Sequence, residues 1–260
     1  MSVRELETLE RLFYRDRLRE ARYAALADAE GFGAICFALE SLGLRVHGKQ
    51  EALWPYMGSI ARYAQKSLIL TEMAVSVPAQ FKPFAALYGI VQAARNDAMH
   101  TGAYARHATH AAIELCIGLE EALMADVPRT VGNLMVSTPI TVESWQTVAH
   151  ARQLMLMHSF SFLPVRLGDT WCLLSELGLA KHLSGSNNER KTRLSQSIET
   201  AHTNGMEVIP IQDSALLTTD MQIEDVLRRS SVQLGPMLWL VVDTGRPEHL
   251  AGVLSPFELM

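Results

Sequence analysis

The stretch Arg95-Asn-Asp-Ala-Met-His100 places a guanidinium, a carboxamide and an imidazole within about one and a half helical turns. Arginine can clamp a phosphate with two parallel hydrogen bonds. Histidine can exchange a proton near neutral pH. Such a set points to binding or cleavage of a phosphodiester. On an unbroken helix Asn96 and His100 share a face, but Arg95 and His100 are splayed by roughly 140°. Either the helix is irregular there, or two copies of the chain complete one site. The second is the expectation, and with it a homodimer.

The elements that must carry this hexapeptide read as helices. Residues 85–94 precede it and 103–123 follow it, both rich in alanine and leucine. Upstream, Leu6, Leu9, Phe13, Ala21 and Ala25 recur at helical steps. Ile35, Leu39, Leu42 and Leu44 do the same, and Trp54, Met57, Ile60 and Ala61 open a third helix that residues 68–73 continue. Pro83 suits the first turn of the helix that delivers Arg95. Without β-alternation, residues 1–126 are expected to form a helical bundle.

The hexapeptide in this setting, AARNDAMHTG, resembles the signature of the HEPN family over residues 1–126: an arginine, a polar residue, then a histidine late in an all-helical domain. The resemblance implies a dimeric, metal-independent endoribonuclease of toxin or defence type acting on single-stranded RNA. Arg95 would hold the scissile phosphate, His100 would serve as general acid or base, and Asn96 would position them. Some members bind nucleotides without cutting. A non-catalytic nucleotide-sensing or protein-interaction regulator is therefore the alternative.

Composition limits these readings. With 48% hydrophobic and 20% charged residues the chain is a folded one, and 260 residues suit more than one domain. No apolar run reaches the roughly 18 residues of a membrane span, and the N-terminus lacks a signal-peptide core. The three scattered cysteines, Cys36, Cys116 and Cys172, read as small buried hydrophobes of a cytoplasmic protein. A net charge of −5 disfavours a dedicated nucleic-acid binder, so RNA contact would be local. Arg11, Arg15, Arg19 and Arg22 form a stripe on the first helix. With Glu7 and Asp16 at three- and four-residue offsets, the stripe reads as a solvated face. His100, His107 and His110 share helical spacing with Glu114 alone for company, and no metal site is expected. The four tryptophans read as core or interface anchors.

At Asp126-Val-Pro-Arg129 the character changes. Thr138-Pro-Ile-Thr-Val142, a helix over 148–158, Leu163-Pro-Val165, Trp171-Cys-Leu-Leu-Ser175 and a helix to Leu183 form one series. Leu216-Leu-Thr-Thr-Asp220, a helix over 223–229, Trp239-Leu-Val-Val-Asp243 and Leu250-Ala-Gly-Val-Leu-Ser255 form another. Strand, helix, strand, strand, helix occurs twice, an internal repeat. The polar residues 184–205 join the copies, with an exposed helix expected over 190–203. The fold class is thus multidomain: an α bundle (1–126), then two β-α-β-β-α repeats (129–183 and 206–260).

This half resembles a tandem pair of CBS domains, carried by Val131-Gly-Asn-Leu-Met135, Thr138-Pro-Ile-Thr-Val142, Leu163-Pro-Val165 and Gly252-Val-Leu-Ser-Pro-Phe-Glu-Leu259. The resemblance implies a cleft holding an adenine nucleotide, AMP or ATP, as regulatory ligand. A Ser or Thr and an acid three residues later hold its phosphate and ribose. The first copy has Ser175 but Gly178 where the acid belongs. The second keeps Ser255 and Glu258. The surviving site is expected to combine Ser255 and Glu258 with backbone near Thr138 and Ile140, and Leu163 packing on the base.

Overall fold

A computed structural model of the chain describes residues 4–28, 31–101, 106–230 and 238–260, with side chains for all of these but 98–101, 106 and 230. They form two compact units, Met1–Val127 and Pro128–Met260. No helix among the described residues is long and apolar enough to cross a membrane.

The first unit is helical: α1 (Thr8–Ala27), α2 (Phe32–His47), α3 (Leu53–Ala64), a π-helical turn (Ile69–Met73) running into α4 (Ala74–Ser76), α5 (Phe84–Thr101) and α6 (Arg106–Met124). Tyr14, Leu18, Ala21 and Ala25 recur at four- and three-residue steps and are buried, so α1 packs along α2 and α6. Leu9 and Phe13, read above as part of that stripe, lie 78% and 53% exposed. Leu6 enters the core instead, its amide donating to the Tyr63 hydroxyl at 2.8 Å. Glycines mark the closest approaches: a Cβ on Gly43 would overlap the Tyr56 ring, and one on Gly118 would overlap Leu70.

The arginine stripe is not a solvated face. Arg11, Arg15, Arg19 and Arg22 have side chains only 3–17% exposed. Arg22 makes a bidentate pair with Glu120 of α6 at 2.8 and 3.1 Å, which Arg19 joins at 3.5 Å. Glu120 lies 98 residues from Arg22 in sequence, beyond the reach of helical spacing. At the other end of α1, Glu10 caps its own helix and binds Arg45 of α2 at 2.5 and 2.8 Å.

The second unit contains α7 (Val131–Leu134), α8 (Val148–His158), β1 (Phe162–Leu167), β2 (Thr170–Ser175), α9 (Glu176–His182), α10 (Asn187–Ser195), α11 (Ile198–Thr203), β3 (Ile209–Pro210), β4 (Leu217–Thr218), α12 (Ile223–Ser230), β5 (Trp239–Asp243), β6 (Arg246–Leu254) and α13 (Pro256–Leu259). One sheet has the order β1-β2-β3 and the other β4-β5-β6. β1 and β2 form a hairpin with Leu167 opposite Thr170, closed by Gly168 at a φ of 59°. Leu173, Leu216, Leu240 and Val242 form a core shared by the two sheets. There the Trp171 indole N–H donates to the Pro247 carbonyl at 2.8 Å.

The segments leading into the two repeats are exchanged. The lead-in to the first repeat pairs with the second: Val131 and Gly132 donate to Met221 and Thr219, and Val136 bridges Val253. The lead-in to the second repeat packs on the first: Ser197 bridges Thr147, and Ile198, Ala201 and Met206 enter the first repeat's core. Residues 190–203, expected as one exposed helix in a linker, are thus parts of two helices, α10 and α11, the second of them core. Ser197 caps α11, accepting from Thr200 N–H at 3.1 Å. The expected first strand, residues 138–142, contributes only the parallel bridge Val142–Val165. Trp54 and Trp145 are 60% and 71% exposed and anchor nothing within the chain's described core, whereas Trp239 is buried.

Candidate functional site

α5 runs unbroken from Phe84 to Thr101, so the hexapeptide sits on one continuous helix and local irregularity does not bring Arg95 to His100. The Arg95 guanidinium instead pairs with Glu40 of α2, their side chains 29% and 25% exposed. The pairing cancels the charge that would draw a phosphate, so an anion must compete with Glu40 for Arg95. Asn96 is exposed. The side chain of His100 lies outside the described residues. Cys36, one turn before Glu40, is buried, and loss of solvation pushes its thiol up to about 12. His107 is exposed, and His110 pairs with Glu114 at 3.0 Å on α6. Glu40 escaped sequence reasoning because nothing links it to a residue 55 positions away.

In the second unit, β2 and β6 each lead into a short helix capped by a serine. Ser175 Oγ accepts from Gly178 N–H at 2.9 Å. Gly178 is buried, and a Cβ there would lie 2.6 Å from the carbonyl oxygen of Glu207. Lead-in exchange therefore fills the place an acid would need. Ser255 and Glu258 are half-buried and form a capping box at α13. Glu258 Oε2 accepts from the Ser255 amide at 2.7 Å and from its hydroxyl at 2.6 Å. Both bonds go to one oxygen. Oε1 has no partner among the described residues.

Thr138 and Ile140 are exposed on the stretch that leaves the second repeat's sheet at Val136 and reaches the first repeat's at Val142. The antiparallel bridge Val136–Val253 brings this stretch alongside the strand that leads into Ser255, and the chain then bends at Ser137 and Thr138. Leu163 is fully buried in the first repeat's core and offers no surface to a base.

No family model matches the chain, and no curated protein does. Among solved structures it is similar to a CBS domain-containing protein of unknown function from Bacillus anthracis, at 17% identity over 50% of this chain and 88% of that one, with a TM-score of 0.38. It is similar also to the CBS-pair protein CBSX2 from Arabidopsis thaliana, at 18% identity over 51% and 92% and a TM-score of 0.38. CBSX2 is also solved in complex with AMP, and that structure aligns at 18% identity over 50% and 92% with a TM-score of 0.36. The chain is a helical unit joined to a tandem repeat unit, and over half its length it is similar to CBS-domain pairs.

Proposed function

We propose that the second unit senses an adenine nucleotide, AMP or ATP, through Glu258, and that the helical unit is the output it controls. One observation carries this reading: the capping box fixes the Glu258 carboxylate through Oε2 and leaves Oε1 without a partner among the described residues. An acceptor already held in place takes a ribose hydroxyl without the ordering cost of a free side chain. The bridge Val136–Val253, which brings the stretch carrying Thr138 and Ile140 alongside the strand leading into Ser255, suits a nucleotide with its ribose on Glu258 and its base along the Thr138–Ile140 backbone. A ligand preferring one arrangement of the repeats shifts their populations by its differential affinity, typically about 1–3 kcal/mol. Calorimetry with adenine nucleotides on the wild-type chain and Glu258→Gln tests the reading.

A second reading is metal-independent cleavage of single-stranded RNA by a homodimer, in which a phosphate displaces Glu40 from Arg95. Glu40 holds the guanidinium at partial exposure beside exposed Asn96, on the helix that carries His100. In RNA the 2′-hydroxyl attacks its own phosphate, so charge stabilisation and proton transfer suffice. Two copies would supply the arginine and histidine that one helix splays apart.

A further inference from the structure

A hollow of about 510 Å³ lies among α8, α9 and α10 of the first repeat, apart from Ser255 and Glu258. Leu156, Phe160 and Leu183 supply apolar surface, with buried Met155 and Leu179 beneath them. Arg152 from α8, Arg190 from α10 and Glu176 from α9 supply charge. Neither guanidinium has an ion pair or hydrogen-bond partner among the described residues, although ion pairs engage many of the chain's other arginines. Arg190 is exposed and Arg152 half-buried. The second arginine stands on α10, the helix between the repeats that packs against α8. Two cations and one carboxylate leave a net charge of +1 around an apolar floor.

We propose that this hollow binds a small amphipathic monocarboxylate, an acyl chain or aromatic body carrying a single carboxylate. The volume falls within the range of small-molecule sites, about 300–1,000 Å³. The apolar part covers Phe160 and Leu183, and a guanidinium takes the carboxylate in paired hydrogen bonds. A dianion gains less, because Glu176 faces the same space. An uncharged amphiphile leaves both arginines as they are.

The test is calorimetry of the full chain with decanoate below its micellar threshold, alongside decanol and inorganic phosphate. Decanoate is expected to bind at one site per chain, with decanol and phosphate weaker. Arg152→Ala/Arg190→Ala should weaken decanoate by about tenfold or more. Ala180→Trp keeps both arginines but fills the hollow, and should abolish binding. Glu258→Gln should leave decanoate affinity unchanged, which separates this site from the nucleotide site. Binding that neither variant lowers, decanol binding as tightly as decanoate, or no binding at all overturns the proposal. So does a dimer that the double arginine variant dissociates and that takes no decanoate, since a second copy would then be the occupant.

Discussion

Gly178 stands against the Glu207 carbonyl so closely that a Cβ would lie 2.6 Å from that oxygen. The first repeat's missing acid is therefore a packing requirement: backbone from the exchanged lead-in occupies its place. Restoring the acid with Gly178→Asp should destabilise the chain by about 1–3 kcal/mol, as overpacking does, and create no second nucleotide site. Urea unfolding and nucleotide titration of this variant check both halves of the claim. Unchanged stability, or a second bound nucleotide, would show that the lead-in yields.

Glu120 joins α1 to α6 through Arg22 and Arg19. Removing it leaves two largely buried guanidinium groups uncompensated. Glu120→Ala is expected to cost about 3 kcal/mol, and Glu120→Gln less, because a carboxamide oxygen still accepts. A loss under about 1 kcal/mol by chemical denaturation would mean that the arginines find water.

Glu10 has its pKa lowered by the hydrogen bonds from Arg45 first and the Glu7 amide second. A depressed folded-state pKa contributes stability above the ordinary glutamate value and loses it as pH falls through the folded one. Glu10→Gln should therefore melt below wild type at pH 7, and the gap should close as pH falls below the ordinary glutamate range. A gap independent of pH would assign the effect to capping alone.

If the helical unit cuts RNA, Arg95→Ala and His100→Ala should each remove cleavage of labelled single-stranded RNA by about a hundredfold or more. Cleavage should survive EDTA and leave a 2′,3′-cyclic phosphate or its hydrolysis product. Glu40→Gln frees Arg95 for phosphate and should not abolish activity. Light scattering that found only monomer would remove the composite site, and undiminished cleavage by either motif variant would place the chemistry elsewhere.

The helices of the first unit are legible in the sequence because burial imposes a 3.6-residue period, as Leu18, Ala21 and Ala25 show. The hairpin of the first repeat is legible in the apolar runs Leu163–Val165 and Trp171–Leu174 around Gly168. Lead-in exchange is not, since pairs such as Val136–Val253 and Thr147–Ser197 are single backbone bridges without periodic signature. The burial of the arginine stripe is hidden in the sequence for a related reason: local acids sit at suitable offsets, while the partner that decides, Glu120, is remote in sequence. The capping box was available as Ser255-Pro-Phe-Glu258, the serine-to-glutamate spacing of a helix start. Leu163 stands at a strand position that turns it inward, away from any ligand.

The most direct measurement is calorimetric titration of AMP, ADP and ATP into the wild-type chain and Glu258→Gln. Glutamine keeps an acceptor for the Ser255 amide, so the cap survives, but it turns the free oxygen toward ribose into a donor. One adenine nucleotide is expected to bind per chain below millimolar concentration, weakened by about tenfold or more in the variant. Equal affinity in the two proteins, or no binding by any of the three nucleotides, would contradict it.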